Sequence, residues 1–260
     1  MSLLSCVAST AFADDPVSDA PAGQYAVGRD VQSPAGMFSA RILLAVNLEK
    51  GESGEPISLA PDLYYAISDR VQIGLLHTDP MGWQTRPGVG LCLTGEDSNC
   101  PSVYDNVGFD LMLGLGSNDF PLSAHGSLFL DSFDPERTHL ALGVAGKLHF
   151  SPRAALFFDP KIAIATDSRD VNDDVLYVPV ELQFQLAAPT TFKLVGGFIE
   201  GLSDFGDTYR VPVGIGLVQN LTKHLDLGAR FSFDNLLGKQ ADEVDRADER
   251  SLAILLNIRS

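Results

Sequence analysis

The sequence is poor in positive charge and has no long hydrophobic run. Its 260 residues contain 18 Lys and Arg against 34 Asp and Glu, which gives a formal net charge of −16. Proteins that bind nucleic acid need clustered Lys and Arg to contact phosphate groups, so we expect no nucleic-acid partner. No segment approaches the roughly 20 consecutive apolar residues of a membrane-spanning helix. The hydrophobic content of 45% nevertheless indicates a folded protein rather than a disordered chain.

After residue 38, apolar and polar residues alternate with a period of two, which is typical of β-strands with one apolar face. The clearest segment is 176–186, in which Leu, Val and Phe occupy the even positions and mostly polar residues the odd ones. The same pattern recurs in 38–49, 138–150, 225–235 and 250–259. Helical periodicity is almost absent. The sequence therefore predicts an all-β protein.

Short turns and longer loops follow one another along the chain. Five short turns are predicted at 68–70, 117–121, 151–153, 187–190 and 222–224, and six longer, mostly acidic loops at 49–55, 80–104, 132–137, 166–174, 201–207 and 237–249. An even number of antiparallel strands with short turns at one end and longer loops at the other is typical of bacterial outer-membrane barrels. We therefore predict a single twelve-stranded, antiparallel, up-and-down transmembrane β-barrel in contact with outer-membrane lipid, with periplasmic short turns and extracellular loops.

Alternation alone does not tell whether the apolar face meets lipid or a soluble core. The polar face of a soluble barrel should be dense in Lys and Glu, whereas here it mixes small residues with scattered charges of both signs. This mixture favours an enclosed polar lumen. The predicted lumen-lining residues are Arg41, Asp62, Asp110, His125, Asp131, His139, Lys147, His149, Lys161, Glu181 and Arg230. A soluble exported β-barrel or sandwich that binds a ligand is the alternative.

The first residues indicate export from the cytoplasm, and the predicted outer-membrane barrel implies a Gram-negative bacterium. Residues 1–13 are small and apolar and end in Ala-Phe-Ala before an acidic segment, as at a signal-peptidase site. We predict a residual signal peptide over 1–13, a flexible periplasmic leader over 14–37 and the barrel over 38–260. Lipid attachment at Cys6 is an alternative interpretation. In an exported protein, Cys92 and Cys100 predict a disulfide that closes a small loop.

Two hairpin segments carry a more specific resemblance. Residues 63–75 (LYYAISDRVQIGL) and 219–228 (QNLTKHLDLG) each contain a strand, a short polar turn that begins with Ser or Thr, and a second strand with Gly. They resemble the periplasmic hairpins of porin-like outer-membrane barrels, such as the phenol-degradation meta-pathway family of transporters. The resemblance implies the topology of the chain, and it does not specify a substrate.

Catalytic motifs are missing: the sequence has no P-loop, dinucleotide-binding glycine pattern, nucleophile elbow or HExxH. The most enzyme-like group is His125, Ser127, Asp131 and His139, but Ser127 and Asp131 lie ~13 Å apart along one strand, which is too far for a triad. We expect instead a hydrogen bond between Asp131 and His139, and no enzyme activity, cofactor or metal.

The interpretation that fits best is a porin-like channel or facilitator that passes a small solute through a polar lumen. A non-conducting barrel that acts as an adhesin or scaffold through its extracellular loops is a second interpretation, in which side chains or residues 14–37 plug the lumen.

Overall fold

The computed structural model describes residues 26–79, 87–95, 100, 102–116, 120–133, 136–167, 169, 172–203, 205–207, 209–239 and 248–260. The predicted signal peptide, Cys6 and the first part of the leader lie outside these residues. Within the described ranges, no helix is long and apolar enough to cross a membrane. The described regular structure is entirely β.

Fifteen strands are present in the described residues. They are β1 Phe38–Asn47, β2 Ile57–Ser68, β3 Val71–Leu76, β4 Leu91–Cys92, β5 Val107–Gly114, β6 Leu122–Phe133, β7 Glu136–Ser151, β8 Ala154–Phe158, β9 Lys161–Ala165, β10 Val175–Ala187, β11 Thr190–Gly201, β12 Tyr209–Arg210, β13 Val213–Thr222, β14 Leu225–Phe233 and β15 Arg250–Arg259.

The sheet closes on itself, because β1 pairs with the last strand from Ser39↔Arg259 to Asn47↔Ser251. Strands β8 and β9 both pair with β7 on one side and with β10 on the other. They therefore count as one interrupted barrel strand. The same holds for β12 and β13 beside β11. Pro160 and Pro212 lie at these two interruptions, where proline cannot donate a ladder hydrogen bond. With β4 outside the wall, the barrel has twelve antiparallel strands, which confirms the predicted fold.

Four of the predicted short turns share one geometry. Only two residues separate the strands at 69–70, 152–153, 188–189 and 223–224, and a register shift precedes each turn. The predicted loop 132–137 differs from the structure. Strands β6 and β7 continue until Phe133 pairs with Glu136, so that only residues 134–135 lie between them.

The outside of the barrel is apolar and the inside is polar. Leu128 and Leu142 are each 53% exposed and Ile215 is 51% exposed, whereas Asp62 and Asp226 are fully buried. A soluble β-sandwich shows the opposite distribution, with apolar side chains converging on a common core. An apolar outer belt around charged interior groups is the distribution of a barrel that lies in lipid.

Candidate functional site

The candidate site is the lumen, where two adjoining cavities are lined by charged side chains of the described residues; a third, of about 650 Å³, lies between the leader and the short turns. The larger of the two adjoining cavities, of about 360 Å³, is lined by the β10–β15 side of the barrel, by residues of β1, β2, β7 and β8, and by leader residues. The smaller cavity, of about 270 Å³, lies on the β3–β9 side. Arg41, Tyr64 and Phe157 line both cavities. Every second side chain of each strand points into the lumen. Each strand of the wall can therefore contribute residues to the lining of a cavity.

Asp62 holds the start of the long β3–β5 connection inside the barrel. Its carboxylate accepts hydrogen bonds from the backbone N–H groups of His77 (2.8 Å) and Thr78 (2.9 Å) and from the Thr78 hydroxyl (2.7 Å). Arg41 donates to the same carboxylate through Nε at 3.1 Å and through Nη2. A buried carboxylate needs such partners to offset its desolvation. The chain therefore turns inward directly after Leu76, and Asp62 fixes that turn.

The connection then forms a small closed loop on the same side of the barrel. Cys92 and Cys100 are joined by a disulfide with their Cα atoms 6.2 Å apart, as the sequence predicts. Cys92 belongs to β4, which pairs with β2 through Ser58. The disulfide loop is therefore tied to the barrel wall.

A network of charged and polar groups surrounds His125 in the smaller cavity. The His125 Nε2 atom lies 2.6 Å from Asp159 Oδ1, and Nδ1 lies 3.3 Å from Asp110 Oδ1. Lys161 pairs with Asp159 at 2.9 Å. Ser127 donates its hydroxyl proton to Asp110 at 2.6 Å rather than to the histidine. Among the described residues, Ser127 is therefore bonded to a carboxylate and forms no Ser–His pair with His125.

Glu181 pairs with cations on a neighbouring strand and on a strand that is not its neighbour in the sheet. Its carboxylate lies 2.7 Å from Lys193 Nζ on β11 and 3.2 Å from Arg230 Nη2 on β14. Strands β11 and β13 separate β10 from β14 in the wall. The Glu181–Arg230 pair therefore spans the inside of the barrel.

The prediction of a hydrogen bond between Asp131 and His139 is wrong. A register shift between Leu130 and Ser132 displaces Asp131, which lies 3.3 Å from Arg137. His139 faces Phe129 in the register, and its Nε2 lies 3.2 Å from the backbone oxygen of Asp173. A bulge inserts one residue into the alternation, so parity counted from the sequence no longer applies beyond it.

The described part of the leader, 26–37, lies in the short-turn end of the barrel. Lys147 Nζ donates to the backbone oxygens of Ala26 (2.7 Å) and Arg29 (2.9 Å), and His149 Nε2 lies 2.9 Å from the Val27 oxygen. Val27 is almost fully buried. Whereas the sequence predicts a flexible leader over 14–37, these residues are held by side chains of the lumen.

Arg29 also anchors the leader through charge. Its guanidinium contacts the buried Asp226 carboxylate with Nη1 at 2.6 Å and Nη2 at 3.1 Å. Arg259, close to the end of β15, binds the same carboxylate, with Nη2 at 3.1 Å. One carboxylate of β14 thus joins the leader to the last strand.

Sequence reasoning missed two residues of the lumen, Lys193 and Arg29. Lys193 occupies an inward position on β11, and the alternation of that strand could have identified it. Arg29 carried no such signal, because it precedes the first strand and only the tertiary structure brings it to Asp226. Among the described residues, no group of three or more His, Cys, Asp or Glu is arranged to hold a metal ion.

Comparison with known proteins yields relatives by structure only. No protein-family model matches the sequence, and no curated protein matches it either. The KdgM porin superposes with a TM-score of 0.53 at 6% identity, covering 85% of this chain and 98% of that chain. The NanC porin gives 0.54 at 7% identity, with 86% and 98% covered. The COG4313 outer membrane channel from Pseudomonas putida F1 gives 0.54 at 13% identity, with 88% and 97% covered.

These likenesses concern the fold, since all three identities are far below the level at which function is shared. They agree with the closed twelve-stranded wall and the apolar outer belt. The chain therefore has the fold of bacterial outer-membrane porins and channels and lies in the outer membrane.

Proposed function

We propose that the protein is a porin-like channel or facilitator that passes a small solute through its polar lumen. The observation that carries this proposal is the larger cavity of about 360 Å³, which is walled by charged side chains inside a barrel with an apolar exterior. Charged groups at fixed positions in a narrow passage select solutes by their charge and size. Lumenal charges such as Glu181 and Arg230 would set the field that a solute meets.

The passage suits small solutes rather than large ones. A barrel of twelve strands lies between eight-stranded barrels, which side chains fill, and porins of sixteen strands, which hold a wide aqueous channel. Here the inward turn fixed by Asp62 and leader residues 26–33 occupy part of the lumen. We infer that conductance is low and that the protein works by passage and not by catalysis.

Single-channel recording in planar lipid bilayers tests the proposal. The refolded full chain should give discrete current steps. E181Q should change the ion selectivity, because it removes a negative charge from the lumen and leaves the paired Lys193 and Arg230 in place. The matched control is E136Q, which removes one carboxylate at the exposed start of β7. A folded protein that inserts into vesicles and never conducts would overturn the proposal.

The leader supports a second candidate function, a non-conducting barrel that acts through its extracellular loops. Bonds from Lys147 and His149 hold residues 26–29 in the short-turn end of the lumen. In this case the wild-type protein should be silent in bilayers, and R29Q, which loosens the leader, should give current steps. Current steps from the wild-type protein would exclude this candidate.

A further inference from the structure

The larger cavity is positively charged, although the whole chain has a net charge of −16. The cations that line it are Arg29, Arg41, Lys147, Lys193, Arg230 and Arg259. Four carboxylates accompany them: Asp30 and Glu181 line the cavity, and Asp62 and Asp226 pair with lining arginines. Among the described residues that line the cavity or pair with its lining, cations thus outnumber carboxylates by six to four. The cavity thus attracts anions, whereas the acidic protein as a whole repels them.

Lys147 is the cation best placed to receive an anion. It is 4% exposed, and its ammonium group donates to two backbone oxygens, those of Ala26 and Arg29. In the described part of the chain, no carboxylate lies within ion-pair distance of it. An ammonium group has three donors, so one is left for a ligand oxygen. Because a buried charge without a counter-ion is unfavourable, an anion bound here would stabilise the site.

The wall of the same cavity also has an apolar part. Leu43, Phe157 and Leu255 occupy inward positions on β1, β8 and β15 and line the cavity. Its volume of about 360 Å³ is near the lower end of the ~300 to 1,000 Å³ found for small-molecule pockets. An occupant should therefore be small and should combine a negative head with a short apolar body.

We propose that the larger cavity binds a small organic carboxylate with a short apolar body, with Lys147 and the neighbouring cations holding its carboxylate. This inference rests on the proposed function for the route by which the solute arrives, and it adds the chemical class of that solute. Residues of the leader, from Ala26 to Val31, line the cavity, so the ligand would sit against them.

Titration calorimetry with sodium hexanoate tests the site in the folded, detergent-solubilised full chain at mildly acidic pH. Hexanoate should bind, and hexanamide, which has the same body without charge, should bind much more weakly. K147Q should weaken hexanoate binding about tenfold or more, since a hydrogen bond to a charged group is lost. The control K239Q removes the same charge from an exposed lysine that donates to the Gly206 oxygen outside the cavity, and it should bind like wild type.

Several outcomes would overturn the inference: no hexanoate binding to the wild type, equal binding of hexanamide, or unchanged binding by K147Q. If K147Q does not fold, as judged by heat-dependent gel mobility, K147R keeps the charge and should retain hexanoate binding. Bilayer recording separates this inference from the proposed function. Hexanoate binding without conductance would overturn the channel alone, whereas conductance with a cation-selective reversal potential and no hexanoate binding would overturn the anion site alone.

Discussion

The substitution D62A removes the carboxylate that holds the inward turn after β3. Asp62 is fully buried and accepts hydrogen bonds from Arg41, from two backbone N–H groups and from the hydroxyls of Thr78 and Tyr64. Removing one member of a fully buried ion pair costs about 3–5 kcal/mol, and because the Arg41 side chain is 27% exposed, the cost here should lie toward the lower end of that range. Since a domain is stable by only about 5–15 kcal/mol, the loss should be large.

The matched control is D69A, which deletes the same side chain from an exposed short turn. Asp69 accepts one hydrogen bond, from the backbone N–H of Ala35 at 2.8 Å. The net value of one such bond is about 0.5–1.5 kcal/mol, and solvent should replace part of it. The free energy of unfolding should therefore fall much less than in D62A.

Urea unfolding in lipid vesicles measures both variants, with heat-dependent gel mobility reporting the folded fraction. D62A should also raise the single-channel conductance, because residues 77–78 lose the partner that keeps them inside the lumen. If D62A and D69A lose the same stability and conduct like wild type, Asp62 does not hold the inward turn.

Three further predictions concern the ion pairs of the lumen and one loop. E181Q should shift the reversal potential in a salt gradient towards anion selectivity, because its two cationic partners remain; an unchanged potential would show that Glu181 lies off the ion path. R29Q should loosen the leader from Asp226 and speed protease cleavage within 26–33 of the folded barrel, whereas equal cleavage rates would contradict the anchor. Burial and nearby carboxylates raise the pKa of Glu49 in the β1–β2 loop, so its contribution to stability is present at low pH and lost as the pH rises through that pKa. E49Q should therefore be more stable than wild type at neutral pH and similar in acid, and thermal unfolding at both pH values checks this.

The alternation of residue types was sufficient to predict much of the fold. It indicated twelve strands, four of the short turns and the polar face that contains Arg41, Asp62 and Glu181. The reason is local, because a strand presents successive side chains to opposite sides and each side must match its surroundings. The disulfide between Cys92 and Cys100 could be predicted from the spacing of the two residues in an exported chain.

Local patterns failed where the chain departs from regular pairing. The bulge near Leu130 shifts Asp131 away from His139, and nothing in the alternation marks that extra residue. The connection after Leu76 turns inward because of hydrogen bonds to Asp62, a residue on the preceding strand.

The sequence by itself determined which side chains belong to a polar face, and only the tertiary structure decided which of them meet. Glu181 and Arg230 lie 49 residues apart on strands that do not pair, and closure of the barrel brings them together. Arg29 reaches Asp226 across 197 residues for the same reason. Strand geometry acts over two residues, whereas contacts across a lumen depend on the number, tilt and stagger of all the strands together.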